Sequence, residues 1–255
     1  MILDDLVFAT KKRYQNKNDI SYIKELSEKR IINNKNFFYD AIKKPKMSFI
    51  CEIKKASPSK GIISHDFPYL EIAKKYNECA DVISVLTETD YFLGKDEYLT
   101  NVKNVVDIPV LRKDFIISEY QIYEAKAIGA DAILLIVAIL SDEKLIKYLN
   151  LAHEIGLGAL VEAHDEDEAK RAINAGARVI GVNNRNLKDF TIDMNNSIKL
   201  RKLAPENISF VSESGIKERK DIKILEDNKV DAVLIGETLM RSNDIIQEVN
   251  KLKND

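Results

Sequence analysis

Residues 48–54 read Ser48-Phe49-Ile50-Cys51-Glu52-Ile53-Lys54, and their alternation is the key to the architecture. Successive side chains of an extended strand point to opposite faces. Ser48, Ile50, Glu52 and Lys54 therefore share one face, and Phe49, Cys51 and Ile53 share the other. The second set is uniformly apolar and suits a layer of helices. If the strand belongs to a barrel, Glu52 and Lys54 project inward at its C-terminal mouth.

From Ser48 onward one theme repeats: a short β-branched apolar run, a polar turn, then an amphipathic helical stretch. Strands are predicted at Phe49–Lys54, Val82–Leu86, Val110–Lys113, Ala132–Val137, Ala159–Glu162, Val179–Asn183, Ile208–Ser212 and Ala232–Ile235. Helices are predicted between them, as at Glu119–Ile128, Glu143–Ile155 and Glu166–Ala175. Several helices run into a glycine (Gly129, Gly156, Gly176) before the next strand, the residue expected where a helix ends in a left-handed turn. Such βα units either close into a barrel or form an open doubly wound sheet. No Gly-x-Gly-x-x-Gly follows the first strand, which disfavours a dinucleotide-binding sheet. The expectation is an α/β protein, a (βα)8 TIM barrel occupying residues 1–255 as a single domain. Residues 1–47 form an N-terminal helical extension, with Tyr22, Ile23 and Leu26 as one apolar stripe and Phe37, Phe38 and Ile42 as another. Two uses of that extension stay open: a stabilising appendage, or a partial cover over the active face.

Composition narrows the function classes. With 39 Lys+Arg against 41 Asp+Glu, both interspersed, the net charge of -2 gives no basic footprint for nucleic acid. The longest apolar run, Ala132 to Leu140, falls well short of the ~20 residues of a membrane span. The N-terminus lacks the basic start and apolar core of a signal peptide, so a cytoplasmic protein is expected. Cys51 and Cys79 have no metal-binding spacing and read as reduced, mostly buried thiols.

Extending the parity count pairs Leu111 with Lys113, Leu160 with Glu162, Val179 and Gly181 with Asn183, and Val211 with Glu213. Five of the eight strands then end in inward polar groups: Glu52 and Lys54, Lys113, Glu162, Asn183, Glu213. Burying one such charge without a partner costs several kcal/mol. A whole set at the face where barrel enzymes work is better explained by catalysis than by an ion network alone. Glu213-Ser214-Gly215-Ile216 and Ile235-Gly236-Glu237-Thr238 follow the last two strands, where barrels commonly hold phosphate, and each is read as leading into a helical start. Lys54-Lys55-Ala56-Ser57-Pro58-Ser59-Lys60-Gly61 adds a mobile basic loop over the mouth. His65, His153 and His164 have no partner at a metal-ligand spacing, so no metal site is expected and the histidines are given no role.

These residues, in order, resemble one family. Cys51-Glu52-Ile53-Lys54-Lys55-Ala56-Ser57-Pro58-Ser59-Lys60-Gly61 is similar to the signature of indole-3-glycerol phosphate synthases. The likeness continues through Leu86-Thr87-Glu88 with Tyr91-Phe92, Leu111-Arg112-Lys113-Asp114-Phe115-Ile116 and Leu160-Val161-Glu162. Gly181-Val182-Asn183-Asn184-Arg185-Asn186-Leu187, Ser212-Glu213-Ser214-Gly215-Ile216 and Gly236-Glu237 complete it. Asn186, Ala163 and Lys55 depart from the usual Asp, Val and Arg, small changes that touch tuning.

The resemblance implies a ring closure that turns an anthranilate-bearing deoxyribulose 5-phosphate into indole-3-glycerol phosphate, carbon dioxide and water. It implies no cofactor and a small phosphorylated substrate, without a nucleic-acid or membrane partner. The chain ends soon after its last helix, so no fused isomerase barrel is expected. Lys113, Glu162, Lys54, Glu52 and Asn183 are the implied catalytic set. Ser57, Arg185, Glu213, Ser214, Gly215, Gly236 and Glu237, with Phe115, Leu134 and Leu187, are the implied substrate- and phosphate-binding set. Lys113 is expected to protonate the carbonyl, its pKa lowered by nearby Lys54, and Glu162 to act as base; which lysine serves which step stays open at this point. Two alternatives remain. A phosphoribosylanthranilate isomerase would use a Cys/Asp pair, but Cys51 faces outward; a non-catalytic scaffold would not need Lys113 and Glu162.

Overall fold

The computed structural model describes residues 2–17, 19–186 and 189–254. Eight parallel strands form a closed barrel: β1 (Ser48–Ile53), β2 (Val82–Leu86), β3 (Val110–Lys113), β4 (Ala132–Ile136), β5 (Gly158–Ala163), β6 (Val179–Asn183), β7 (Ser209–Glu213) and β8 (Ala232–Ile235). Closure comes where β1 meets β8, with Ser48 opposite Ala232 and Cys51 opposite Ile235, so no strand edge is left free.

The parity reading holds. Ile50, Leu111, Leu160, Val179 and Val211 meet inside the barrel in one buried cluster. Phe49, Cys51 and Ile53 belong to the separate cluster between strands and helices. Both cysteines are free and buried.

The three N-terminal helices have different jobs. The helix α3 (Phe37–Ile42) plugs the N-terminal end of the barrel. Phe38 and Ile42 join the inner cluster. A methyl group added at Gly158, the first residue of β5, would lie 2.7 Å from the Phe38 ring, so this glycine gives the plug its seat. The Tyr39 hydroxyl accepts from the Ala159 amide at 3.0 Å. In α2 (Ile20–Glu28), Ile23 and Ser27 face inward, one helical turn apart. Tyr22 lies about 100° around the helix from Ile23 and is 59% exposed, so it does not belong to the expected stripe.

The first helix, α1 (Ile2–Tyr14), crosses the active face, and Ile2 and Leu6 line the cavity there. It is anchored through Arg112 of β3, which points outward yet is fully buried. The Arg112 guanidinium donates to Glu124 Oε2 at 2.9 Å, Asp96 Oδ1 at 2.7 Å and the Tyr14 hydroxyl at 3.0 Å. Arg13 adds an ion pair with Asp114 at 2.7 Å. Burying that many charges is tolerated because each is matched within hydrogen-bond distance.

The outer layer consists of α4 (Tyr69–Cys79), α5 (Asp96–Lys103), α6 (Glu119–Ala127), α7 (Asp142–Glu154), α8 (Glu166–Asn174), α9 (Asn195–Arg201), α10 (Arg219–Asp227), α11 (Glu237–Met240) and α12 (Ile245–Lys253). Among the described residues no helix is long and apolar enough to cross a membrane.

Candidate active site

At the C-terminal ends of the strands lies a cavity of 650 Å³. Lys113, Glu162, Glu52, Lys54, Asn183 and Glu213 all face into it, as parity requires. So do Ser57, Arg185, Ser214, Gly215, Gly236, Glu237, Phe115 and Leu134. Leu187 lies outside the described residues. The binding set read from the sequence did not include Phe92, which stands 6.3 Å from Phe115 centroid to centroid, or Ile2, Leu6, Thr238 and Arg241, which also line the cavity.

Lys113 is central. Its Nζ is 2.5 Å from Glu213 Oε2 and 3.3 Å from Glu162 Oε2. Burial opposes its charge, but the Glu213, Glu162 and Glu52 carboxylates outweigh burial and hold the ammonium well above the usual lysine range. The expected lowering by Lys54 does not occur. Lys54 Nζ lies 2.5 Å from Glu52 Oε1, so its charge is taken up by its own partner.

The two carboxylates on Lys113 differ. Burial disfavours ionisation of both. At Glu162 the charges of Lys113 and His164 prevail and push the carboxyl down. At Glu213 burial, with the Glu162 and Glu52 charges, prevails over Lys113 and pushes it up. Glu213 Oε1 is buried with no hydrogen-bond partner among the described residues. It rests over Gly181, where a Cβ would come within 2.2 Å of it. Gly236 plays the same part for the other pair, since a Cβ there would lie 2.5 Å from Glu52 Oε1. Both glycines are present because a neighbouring carboxylate takes the space.

Asn183 is fixed by its surroundings. Its Oδ1 accepts from the Ser214 hydroxyl at 3.0 Å and the Arg185 amide at 3.1 Å, and its amide reaches toward Glu162 Oε1 at 3.5 Å.

The two loops expected to bind phosphate lie side by side, joined by the Thr238 hydroxyl donating to the Ile216 carbonyl at 2.9 Å. Only one opens a helix directly: α11 begins at Glu237, with no side-chain cap on its first amides. The other does not, because α10 starts only at Arg219. Instead Ser214 and Gly215 both adopt positive φ, 68° and 94°. A left-handed conformation at Ser214 is strained by about 1–3 kcal/mol. The basic segment after β1 is also more ordered than a plain loop, since Ala56–Ser57 pairs antiparallel with Gly61–Ile62. This hairpin brings Lys60 Nζ to 3.8 Å from Glu237 Oε1, which Arg241 also approaches at 3.2 Å. The Glu237 carboxylate is thus occupied at the rim, leaving its backbone amide as the group suited to an anion.

His164 was overlooked in the sequence although the signal was there: two residues past Glu162, it falls on the same side of the strand. Its Nε2 lies 3.2 Å from Glu162 Oε1.

Comparisons with known proteins agree with this geometry. A sequence model of the family described as indole-3-glycerol phosphate synthase matches residues 3–252. A protein of that name from Ruminiclostridium cellulolyticum is 55% identical, the match covering 99% of this chain and 99% of that protein. One from Endomicrobium trichonymphae is 53% identical over 99% of this chain and all of its own length (100%). Among solved structures, 3-hexulose-6-phosphate synthase from Salmonella typhimurium superposes with a TM-score of 0.66 at 16% identity, covering 81% of this chain and 97% of that one. Thiamine phosphate pyrophosphorylase from Pyrococcus furiosus gives 0.60 at 15% identity, covering 81% and 93%. At such identities these structures speak for the barrel alone. The family match, by contrast, runs almost from end to end, and this chain belongs to the indole-3-glycerol phosphate synthase family.

Proposed function

We propose that this chain is a cytoplasmic lyase of tryptophan biosynthesis. It closes the indole ring of 1-(2-carboxyphenylamino)-1-deoxy-D-ribulose 5-phosphate, releasing carbon dioxide and water, and needs no cofactor. The working unit is one barrel with the helices of residues 1–47 as part of it. The observation that carries the reading is Lys113, held between Glu162 and Glu213 in a cavity with an apolar wall and a pair of anion-suited loops.

In this reading the amides around Ser214, Gly215, Gly236 and Glu237 hold the phosphate, with Ser57 and Arg185 beside them. The aromatic ring lies against Phe92, Phe115 and Leu134. Lys54 leaves Glu52 to meet the substrate carboxylate, and Lys113 donates a proton to the carbonyl oxygen as the ring carbon attacks C2 of the sugar. Carbon dioxide departs and its bonding electrons restore the aromatic ring. Lys54 then protonates the departing hydroxyl, while Glu162 removes a proton from C1 to complete the indole. Glu52 and Asn183 orient the sugar hydroxyls. General acid–base groups of this kind each contribute about 10²–10⁴-fold.

The test is direct. The chain contains no Trp, so indole fluorescence rises on a dark background. Purified protein is expected to produce it from this substrate without added metal or nucleotide. No signal from folded protein, or a strict need for metal, overturns the reading.

A further inference from the structure

His164 follows the end of β5 and carries its ring into the cleft between Glu162 and the first turn of α8. Nδ1 is hydrogen-bonded to Glu168 Oε2 at 3.0 Å. Nε2 stands 3.2 Å from Glu162 Oε1 as an ion pair, without hydrogen-bond alignment and with no hydrogen-bond partner among the described residues. Glu168 Oε2 also accepts from the His164 amide at 2.8 Å, so one carboxylate fixes both ring and backbone. From α9, the Asn196 side-chain amide donates to the His164 carbonyl at 2.9 Å. The ring is largely buried, which opposes its charge, but the carboxylates on either side prevail and lift the imidazole to about 10. The charged groups around Glu162 are His164 on one side and, on the other, Lys113 of β3, with Glu213 of β7 and Glu52 of β1 gathered round that lysine.

The consequence is a division of labour between the Glu162 oxygens. Oε1 is turned to His164 and, more distantly, to Asn183 Nδ2. Oε2 faces Lys113. We propose that His164 is a positioning residue for Glu162: its charge beside Oε1 holds the carboxylate so that Oε2 meets the reacting C–H. This rests on the reading above, in which Glu162 is the base. When Lys113 turns to the substrate carbonyl, Glu162 loses one of its two cations. His164 is then the remaining cation that keeps the carboxylate ionised and in place. A role limited to closing the loop between β5 and α8 would need only the contact with Glu168.

The chain has three histidines, so ring-nitrogen NMR of uniformly 15N-labelled protein is readily assigned with His164→Gln. His164 is expected to be doubly protonated at pH 8 and to titrate lower in Glu168→Gln. A neutral ring at pH 8 overturns the proposal. In kinetics, His164→Leu should lower kcat by about tenfold or more, on the lower side of general-base effects. Affinity for a reduced, unreactive substrate analogue should stay within about threefold, the pattern of a loss confined to the transition state. His164→Gln, which keeps a polar side chain but removes the charge, should recover little of the lost kcat. Three results overturn the proposal: kcat unchanged in His164→Leu, kcat and analogue affinity falling together with melting temperature, or full recovery in His164→Gln. Glu162→Gln, measured alongside, separates the two readings. If that variant keeps its kcat, the assignment of the base fails, whatever the imidazole spectrum shows.

Discussion

Gly181→Ala tests the site without touching a charged residue. Gly181 sits on the inward face of β6, and its backbone is not in the left-handed region, so alanine suits the strand. The added Cβ, however, would lie 2.2 Å from Glu213 Oε1 and 3.1 Å from Leu160 Cδ1. An ordinary contact needs about 3.4 Å or more, so the carboxylate must retreat by about 1 Å. It is not free to do so, because its other oxygen is 2.5 Å from Lys113 Nζ. Displacing Glu213 therefore drags or releases Lys113, the proposed acid. A misplacement of ~1 Å costs about 10²-fold in rate, or about 2.7 kcal/mol of barrier. The expected outcome is a fall of roughly 100-fold in kcat, with the folded structure kept and the melting temperature lowered by roughly 2–12 °C, the scale of overpacking a buried site. The substitution should also be non-additive with Glu213→Gln, since both act through one side chain. Turnover within about threefold of wild type in a folded Gly181→Ala protein would refute the reasoning.

Three further outcomes follow from the same geometry. Glu162→Gln should lower kcat by ~100-fold or more while analogue binding changes little, and near-normal turnover would return Glu162 to a structural ion network. Lys113→Met should keep analogue affinity within about tenfold yet lose nearly all turnover, whereas Gly215→Asp, which both strains a backbone at φ 94° and sets a carboxylate against the phosphate, should lose the analogue. Calorimetry on both, with circular dichroism to check folding, decides it; the opposite pattern means the substrate ends are reversed. Arg112→Met removes the buried cation shared by Glu124, Asp114 and Asp96, leaving among the described residues only Lys17 for Glu124 and only Arg13 for Asp114, a loss of about 3–5 kcal/mol. Thermal melting should show this as a fall of roughly 6–20 °C, and a change under about 3 °C would contradict the buried network.

The barrel strands and their inward ends were legible because two-residue alternation is imposed by the backbone itself. Once Ile50 is inside, Glu52 must be inside too. What stayed hidden depends on distances between segments far apart in the chain. Arg112 has outward parity beside apolar neighbours, a warning of a buried ion cluster, yet its partners Tyr14, Asp96 and Glu124 come from three separate helices. The Phe38 and Ile42 stripe was visible, but not its end of the barrel. Gly181 offered no local clue, because the group that requires it is Glu213 on the next strand. Expecting Lys54 to lower the pKa of Lys113 named the right residues and the wrong electrostatics. Parity cannot say that Glu52 takes Lys54, while Glu162 and Glu213 converge on Lys113.

That pairing bears on how the site must work. A lysine held by two carboxylates is a firm cation but a reluctant acid, because giving up its proton leaves both anions without it. In the proposed reaction, substrate entry changes the balance. The incoming carboxylate competes with Glu52 for Lys54, and the carbonyl oxygen replaces one carboxylate around Lys113. Glu213 is the one suited to yield: burial already favours its neutral form, and one of its oxygens has no partner to lose. Glu162 is the one suited to stay charged, since His164 remains when Lys113 turns away. The same ammonium that rests between two anions thus becomes a better donor as its environment loses negative charge. In the proposed mechanism, Lys113 is thus set to act as the acid once substrate fills the cavity, and Glu162 stays ionised for the later step.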